Sequence, residues 1–181
     1  MKSLLRLLAP RYRVSAVTEL TPARLRTWQI DALMLDLDNT LVYWGQTTPP
    51  RAVREWLGEI KRAGIPACVV SNNVTRRKRE ATATLGLPFA EGRFKPSAAK
   101  LRHALAILGT PAARTAMVGD QLFTDVLAGN RLGVPTVLTA PLAPRESIHT
   151  RVIRIVERAL LAALARLGMT PSASDHPSER A

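Results

Sequence analysis

The sequence predicts an α/β fold in three layers, in which a parallel β-sheet lies between helices on both of its faces. Four short apolar runs have the composition of strands buried on both sides, at residues 32–37, 67–70, 115–118 and 134–139. Segments with helical spacing separate these runs, and such alternation is typical of a parallel sheet. Three of the runs end in polar residues, at the sheet edge where open α/β proteins bind ligands.

The helices are predicted from apolar periodicity and from the residues that end a helix. Between residues 51 and 63 the apolar side chains recur at helical spacing, and Gly64 ends the segment with Pro66 close behind. A single apolar stripe predicts a long C-terminal helix that packs on the domain. The remaining expected elements are an extended piece at residues 88–94 and helices at residues 75–85, 97–108, 121–132 and 147–167.

The composition fits one ordinary domain that attracts anionic partners. The 181 residues carry a net charge of +12, which favours phosphorylated substrates, nucleic acid or anionic lipid. The chain has only two Tyr and three Phe, which leaves few aromatic rings for bases to stack on. Nucleic acid is therefore the less favoured partner. No apolar run reaches the roughly 18 residues of a membrane span, and the single cysteine, Cys68, suits a buried position in a reducing compartment. We therefore expect a cytoplasmic protein, with peripheral attachment at the inner face of the membrane as a further option.

The N-terminal segment, residues 1–29, is basic and begins with a leucine-rich stretch around Arg6. It is interpreted as an amphipathic segment, and three alternatives stay open: a helix on anionic membrane, a helix packed on its own domain, or an organellar presequence. The predicted domain occupies residues 30–167. The tail, residues 168–181, is rich in Ser, Pro and charge and is expected to be disordered.

Polar side chains converge where the predicted strands end. Because the carboxyl ends of parallel strands share one sheet edge, these groups should form one cluster. Each is weak evidence alone, since Asp, Asn and Ser are common turn formers. Two neighbouring carboxylates repel unless a cation joins them, so the first pair predicts a hard, oxygen-liganded ion such as Mg²⁺. The cluster contains Asp36, Asp38, Ser71, Asn72, Asp120 and, from helix starts, Lys95 and Asp125.

These residues lie in four motifs, in order, that resemble those of the haloacid dehalogenase (HAD) superfamily. The motifs are Asp36-Leu37-Asp38-Asn39-Thr40, Ser71-Asn72, Lys95-Pro96 and the run from Gly119 to Asp125. The wider sequence is similar to the YqeG-type, subfamily IIIA phosphatases, whose relatives include mitochondrial and plastid phosphatidylglycerophosphate phosphatases. The resemblance implies a Rossmann-like, HAD-like fold and a phosphomonoester hydrolase.

The resemblance also implies a role for each residue. Asp36 would be the nucleophile that forms an aspartyl-phosphate, and Asp38 the general acid and base. Mg²⁺ would be held by Asp36, the Asp38 backbone carbonyl and Asp120, with Asp125 direct or through water. The remaining residues would bind the transferring phosphoryl group: Ser71, Lys95 and, through its amide, Asn72.

The spacing of the motifs bears on the substrate. Asp38 and Ser71 are too close in sequence to admit more than one core helix, as are Ser71 and Lys95, so no cap domain is expected. An open site suits a large or membrane-presented phosphorylated substrate, and the leading candidate is phosphatidylglycerophosphate, dephosphorylated to phosphatidylglycerol. The alternatives are a phosphatase of nucleic-acid ends or a phosphoprotein, and a basic non-catalytic binding module on the same fold. No heme or nucleotide cofactor is expected.

Overall fold

A five-stranded parallel sheet forms the centre of the molecule. The structure, a computed structural model, describes residues 5–72, 75–143 and 148–169, without the side chains of residues 148–154. The strands are β1 Tyr12–Val14, β2 Ala32–Leu35, β3 Ala67–Val69, β4 Thr115–Gly119 and β5 Thr136–Thr139. They lie in the order β1-β5-β4-β2-β3, and every neighbouring pair is parallel. The predicted α/β class is confirmed.

Helices cover both faces of this sheet. Their bounds are α1 Pro22–Thr27, α2 Arg51–Arg62, α3 Arg76–Leu85, α4 Ala99–Leu108, α5 Leu127–Leu132 and α6 Ile148–Arg166. Helices α1 to α3 pack on one face, whereas α4 and α5 pack on the other. Helix α6 lies against β5 and the turn that follows β4. Among the residues that the structure describes, no helix is long and apolar enough to cross a bilayer.

Strand β2 is buried on both sides because its side chains alternate between the two cores. Leu33 and Leu35 enter the core under α2, and Met34 enters the core under α4. Cys68 of β3 lies in the same core as Met34 and is fully buried, as predicted. Burial raises the pKa of its thiol to about 11, so Cys68 is a packing residue.

Residues 12–28 pack against the rest of the domain, whereas the domain bounds at residues 30 and 167 stay a prediction. Strand β1 pairs with β5, Leu25 of α1 is fully buried, and the Trp56 indole Nε1 donates to the carbonyl oxygen of Leu20 at 2.9 Å. With only three residues, β1 is too short to show an alternating pattern. Of the alternatives for this segment, packing on the domain holds for residues 12–28, whereas residues 1–4 lie outside the described chain.

Within the described residues, the connections leave the carboxyl edge of the sheet uncovered. Helix α2 fills the interval between β2 and β3, and α3 fills the interval after β3, so the described residues there include no cap. The helix predicted at residues 121–132 is divided into a π-helical turn, Leu122–Val126, and the short α5. The extended piece predicted at residues 88–94 makes a single parallel bridge, Phe89 to Val69. The predicted disordered tail lies outside the described residues from residue 170 onward.

Candidate active site

Asp36 directly follows β2, and a buried lysine holds its carboxylate. Oδ1 of Asp36 is 2.6 Å from Nζ of Lys95, whose side chain is 1% exposed. The same Nζ is 2.5 Å from Oδ1 of Asp125 and donates to the carbonyl oxygen of Val70 at 2.7 Å. These three contacts use all three donors of the ammonium group, so the position of Lys95 is fixed.

Two further carboxylates join Asp36 at this edge. One oxygen each from Asp36, Asp120 and Asp125 lies within 4.8 Å of the others, and all three residues are buried. Asp120 follows β4, the neighbour of β2, and the π-helical turn brings Asp125 back beneath it. A side chain at Gly119 would collide with Asp125, because its Cβ would lie 2.2 Å from Oδ2. Glycine at this position therefore allows Asp125 to enter the cluster.

The donor set of this cluster fits a magnesium ion. Three buried carboxylates lie close together here, and a divalent cation would offset the repulsion among them. All the available ligand atoms are carboxylate oxygens, the type that Mg²⁺ prefers.

Asp38 points to a different set of cations. Its Oδ2 contacts Nζ of Lys78, and its Oδ1 is 3.4 Å from Nη2 of Arg77. The chain turns immediately after Asp38, because Asn39 has a φ of 58° and its backbone N–H donates to the carbonyl oxygen of Val42 at 2.7 Å. The two acids of the first motif therefore have separate partners, with Asp36 on Lys95 and Asp38 on Lys78.

Ser71 and Asn72 lie at the end of β3, beside these lysines. The Ser71 hydroxyl accepts a hydrogen bond from Nζ of Lys78 at 3.0 Å, which links the second motif to Asp38. The Asn72 amide is engaged with the backbone of Lys95: its Oδ1 accepts from the N–H at 2.6 Å and its Nδ2 donates to the carbonyl at 3.3 Å. Asn72 thus positions Lys95 in this structure, whereas its predicted contact with a phosphoryl group stays a prediction.

Comparison with known proteins shows the family to which the chain belongs. The chain is 37% identical to the probable phosphatase YqeG of Bacillus subtilis (strain 168) over 155 residues, which covers 86% of this chain and 90% of the relative. The family model Hydrolase_like, described as HAD-hyrolase-like, matches residues 93–141. The chain belongs to the YqeG-type phosphatases of the HAD superfamily.

More distant similarities agree with this HAD assignment. Over 90 residues the chain is 37% identical to phosphatidylglycerophosphate phosphatase 1, chloroplastic/mitochondrial, of Arabidopsis thaliana, which covers 49% of this chain and 26% of that relative. A HAD-superfamily hydrolase from Ehrlichia chaffeensis has the same fold, with a TM-score of 0.53 and 15% identity, over 74% of this chain and 98% of that one. The predicted family and its phosphatase activity are confirmed.

Burial and the neighbouring charges shift the pKa values of Asp36 and Lys95, the central pair of this HAD site, in opposite directions. Burial raises the pKa of Asp36 to about 6, because the effect of Lys95 in lowering it is only partial and Asp125 raises it further. Burial alone would lower the pKa of Lys95, but the carboxylates of Asp125 and Asp36 outweigh it and raise that pKa above its usual value. Lys95 therefore stays charged, and Asp36 is easily neutralised when no cation is bound.

Two buried lysines that the sequence analysis missed complete the HAD site. Lys78 lies in the first turn of α3, and Lys100 lies in the first turn of α4, where its Nζ contacts the carbonyl oxygen of Ser71 and donates to that of Asn72 at 3.2 Å. Burial, together with Lys95 and Lys78, lowers the pKa of Lys100. A positive charge in the first turn opposes the helix dipole, but other basic residues share the first turns of α3 and α4, so the local sequence does not single out these two lysines.

Proposed function

We propose that this phosphatase removes the terminal phosphate of phosphatidylglycerophosphate, in a Mg²⁺-dependent reaction through an aspartyl-phosphate on Asp36. One observation carries the proposal: a carboxylate at the end of β2 is held by the buried Lys95 and lies beside Asp120 and Asp125. That arrangement fixes a nucleophile and supplies oxygen ligands for a cation at the same point.

The geometry supports two successive displacements at phosphorus. An oxygen of Asp36 attacks the phosphorus atom, the bond to the leaving alcohol breaks, and Asp38 donates a proton to that alcohol oxygen. Water then attacks the phosphorus, Asp38 accepts its proton, and the bond to Asp36 breaks to release phosphate. When bound by Asp36, Asp120, Asp125 and the backbone carbonyl of Asp38, Mg²⁺ would offset the negative charges of nucleophile and substrate.

We expect three groups to bind the phosphoryl oxygens, with Lys95 acting through its charge because its three N–H groups are already engaged in the free protein. Lys95 lies on the Asp36 side of the site, whereas Lys78 and the Ser71 hydroxyl lie on the Asp38 side. In the free protein the Lys78 ammonium is paired with Asp38. Because anionic phosphoryl oxygens compete for that ammonium, substrate binding weakens its hold on Asp38.

Two exposed aromatic side chains support a membrane-presented substrate. Trp44 is 53% exposed, and its backbone N–H donates to Oδ1 of Asn39, while Phe94 is 65% exposed and precedes Lys95. Arg77 is bound to the carbonyl oxygen of Gln46, near Trp44. Large aromatic rings beside basic residues favour the surface of an anionic bilayer. On this basis the protein acts peripherally at the inner face of the membrane, and the basic N-terminal segment adds to the attraction.

The substrate can be tested with vesicles. Purified protein and Mg²⁺ are incubated with phosphatidylglycerophosphate in phosphatidylglycerol vesicles, and in parallel with sugar phosphates, a 5′-phosphorylated oligonucleotide and a phosphopeptide. We expect phosphate release from the lipid and none in the Asp36→Asn variant, which removes the nucleophile and keeps the shape of its side chain. Rapid turnover of a sugar phosphate, an oligonucleotide or a phosphopeptide without lipid hydrolysis would reject the lipid substrate and leave the phosphatase assignment standing.

A further inference from the structure

A cavity opens beside the carboxylate cluster, and the chemistry above leaves most of its lining without a role. It has a volume of about 260 Å³ and lies at the carboxyl ends of β1 and β5, under α6. Its lining includes Asp120 as well as Arg13 of β1 and Arg158 of α6. The cavity therefore adjoins the reacting centre through a residue that belongs to both.

The charges in this cavity suit a negatively charged group. Among the described residues, neither Arg13 nor Arg158 has an ion pair or a side-chain hydrogen bond, and both line the same cavity. The acid that shares the cavity, Glu157, is already engaged: its Oε1 accepts from the backbone N–H groups of Leu122 at 2.7 Å and Phe123 at 3.2 Å. Two guanidinium groups thus remain for a ligand, and guanidinium is well suited to phosphate oxygens.

The distance from Asp36 matches a substrate that carries two phosphates. From β2 through β4 and β5 to β1, the strand of Arg13, there are three strand spacings, which is about 14 Å. A phosphomonoester joined to a phosphodiester through glycerol has six bonds between its phosphorus atoms, which, like two residues of extended chain, span about 7 Å. The long side chains of Arg13 and Arg158 can cover the remaining distance.

We propose that Arg13 and Arg158 form a second anion subsite, which binds the phosphodiester in the leaving alcohol of the substrate. This inference rests on the proposed function, since it assigns the substrate's second phosphate to a place beside the same site. It adds that the protein selects esters in which a second phosphate lies three carbons from the first. The apolar remainder of the lining, which includes Leu138 and Leu161, suits the carbon chain between the two groups.

Binding without turnover provides the test. The probe is glycerophosphoglycerophosphate, the deacylated head group, titrated calorimetrically into the Asp36→Asn protein with Mg²⁺. Adding Arg13→Gln or Arg158→Gln should weaken head-group binding about tenfold, and Arg13→Lys should restore part of the loss because it keeps the charge. The matched control is Arg102→Gln on α4, an exposed arginine away from the cavity, for which we expect an unchanged dissociation constant.

Free phosphate distinguishes a tethered phosphodiester from a separate anion. Inorganic phosphate is titrated into the same proteins, and its affinity should fall much less than that of the head group in the Arg13 and Arg158 variants. Equal head-group binding in Arg13→Gln, Arg158→Gln and Arg102→Gln would overturn the subsite, as would a loss confined to free phosphate. If the unsubstituted protein hydrolyses no phosphate ester but its head-group binding still depends on both arginines, the proposed function fails and the subsite stands.

Discussion

Replacing Gly119 with alanine tests whether Asp125 is held in the carboxylate cluster by the absence of a neighbouring side chain. The new Cβ would lie 2.2 Å from Oδ2, 2.3 Å from Cγ and 2.7 Å from Cβ of Asp125, whereas ordinary contacts begin at 3.4 Å. All three atoms belong to the inner part of one short side chain, so Asp125 must move as a whole by about 1 Å. That movement breaks its 2.5 Å contact with Nζ of Lys95.

The expected cost follows from two effects of this one displacement. Overfilling a packed site costs about 1–3 kcal/mol, and separating one partner from a buried ion pair costs about 3–5 kcal/mol. Because both arise from the same movement, they overlap, and we expect a loss of about 3 kcal/mol in the free energy of unfolding. With Asp125 displaced from Asp36 and Asp120, kcat should fall by at least about tenfold.

Urea denaturation in EDTA gives the stability, and hydrolysis of p-nitrophenyl phosphate with Mg²⁺ gives kcat. Gly58→Ala is the matched control, since the same substitution inside α2 meets only the end of the flexible Arg62 side chain at 3.3 Å. Alanine is favoured over glycine in a helix, so this control should gain up to about 1 kcal/mol. A Gly119→Ala protein that loses less than about 1 kcal/mol and keeps its kcat would refute the reasoning.

The remaining predictions concern the charges of the site. Burial raises the pKa of Asp36 from 3.8 to about 6 in the folded protein, so without metal this group should lower the free energy of unfolding by up to about 3 kcal/mol as the pH rises from 4 to 7. Urea denaturation in EDTA should show this loss in the wild type and not in Asp36→Asn, and an equal pH dependence in both proteins would contradict the electrostatic account. Mg²⁺ at 100 times its Kd should add about 2.7 kcal/mol to the free energy of unfolding of the wild type, and it should add little to that of Asp120→Asn. Thermal unfolding with and without Mg²⁺ measures this gain. An equal gain in both proteins would show that the ion binds elsewhere. Lys78→Met should raise the inhibition constant of inorganic phosphate about tenfold in steady-state assays. In the control, Lys61→Met at an exposed position, the inhibition constant should not change. Equal inhibition constants in the two variants would show that Lys78 does not bind phosphate.

The convergence of the site was predictable because a parallel sheet places all its strand ends on one edge. Apolar runs located β2, β3 and β4 within one or two residues, and the polar residues that follow them meet as expected. The structure brings Asp36, Asp120, Asp125 and Lys95 together. Their chemical roles are still predictions, because position alone does not establish a proton transfer or a bond to metal.

Other features depended on information that local sequence does not contain. Strand β1 forms only because β5 offers a partner, and three residues carry too little pattern to reveal it. Lys78 resembled the surrounding basic residues of α3, and its difference is that it is buried against Asp38 and Ser71. Likewise, the wide turn at residues 122–126 follows from the position of Asp125 under Gly119, a contact that helical periodicity does not register.

The pairing of β1 with β5 has a consequence for how the chain folds. Tyr12 is aligned with Val137, so the first strand of the sheet can find its neighbour only after most of the polypeptide has left the ribosome. Contacts between residues so far apart in sequence raise the contact order and slow folding. Until they form, the edge of β5 that β1 later covers offers unpaired backbone groups to other nascent chains, so that edge is exposed to misassembly during synthesis.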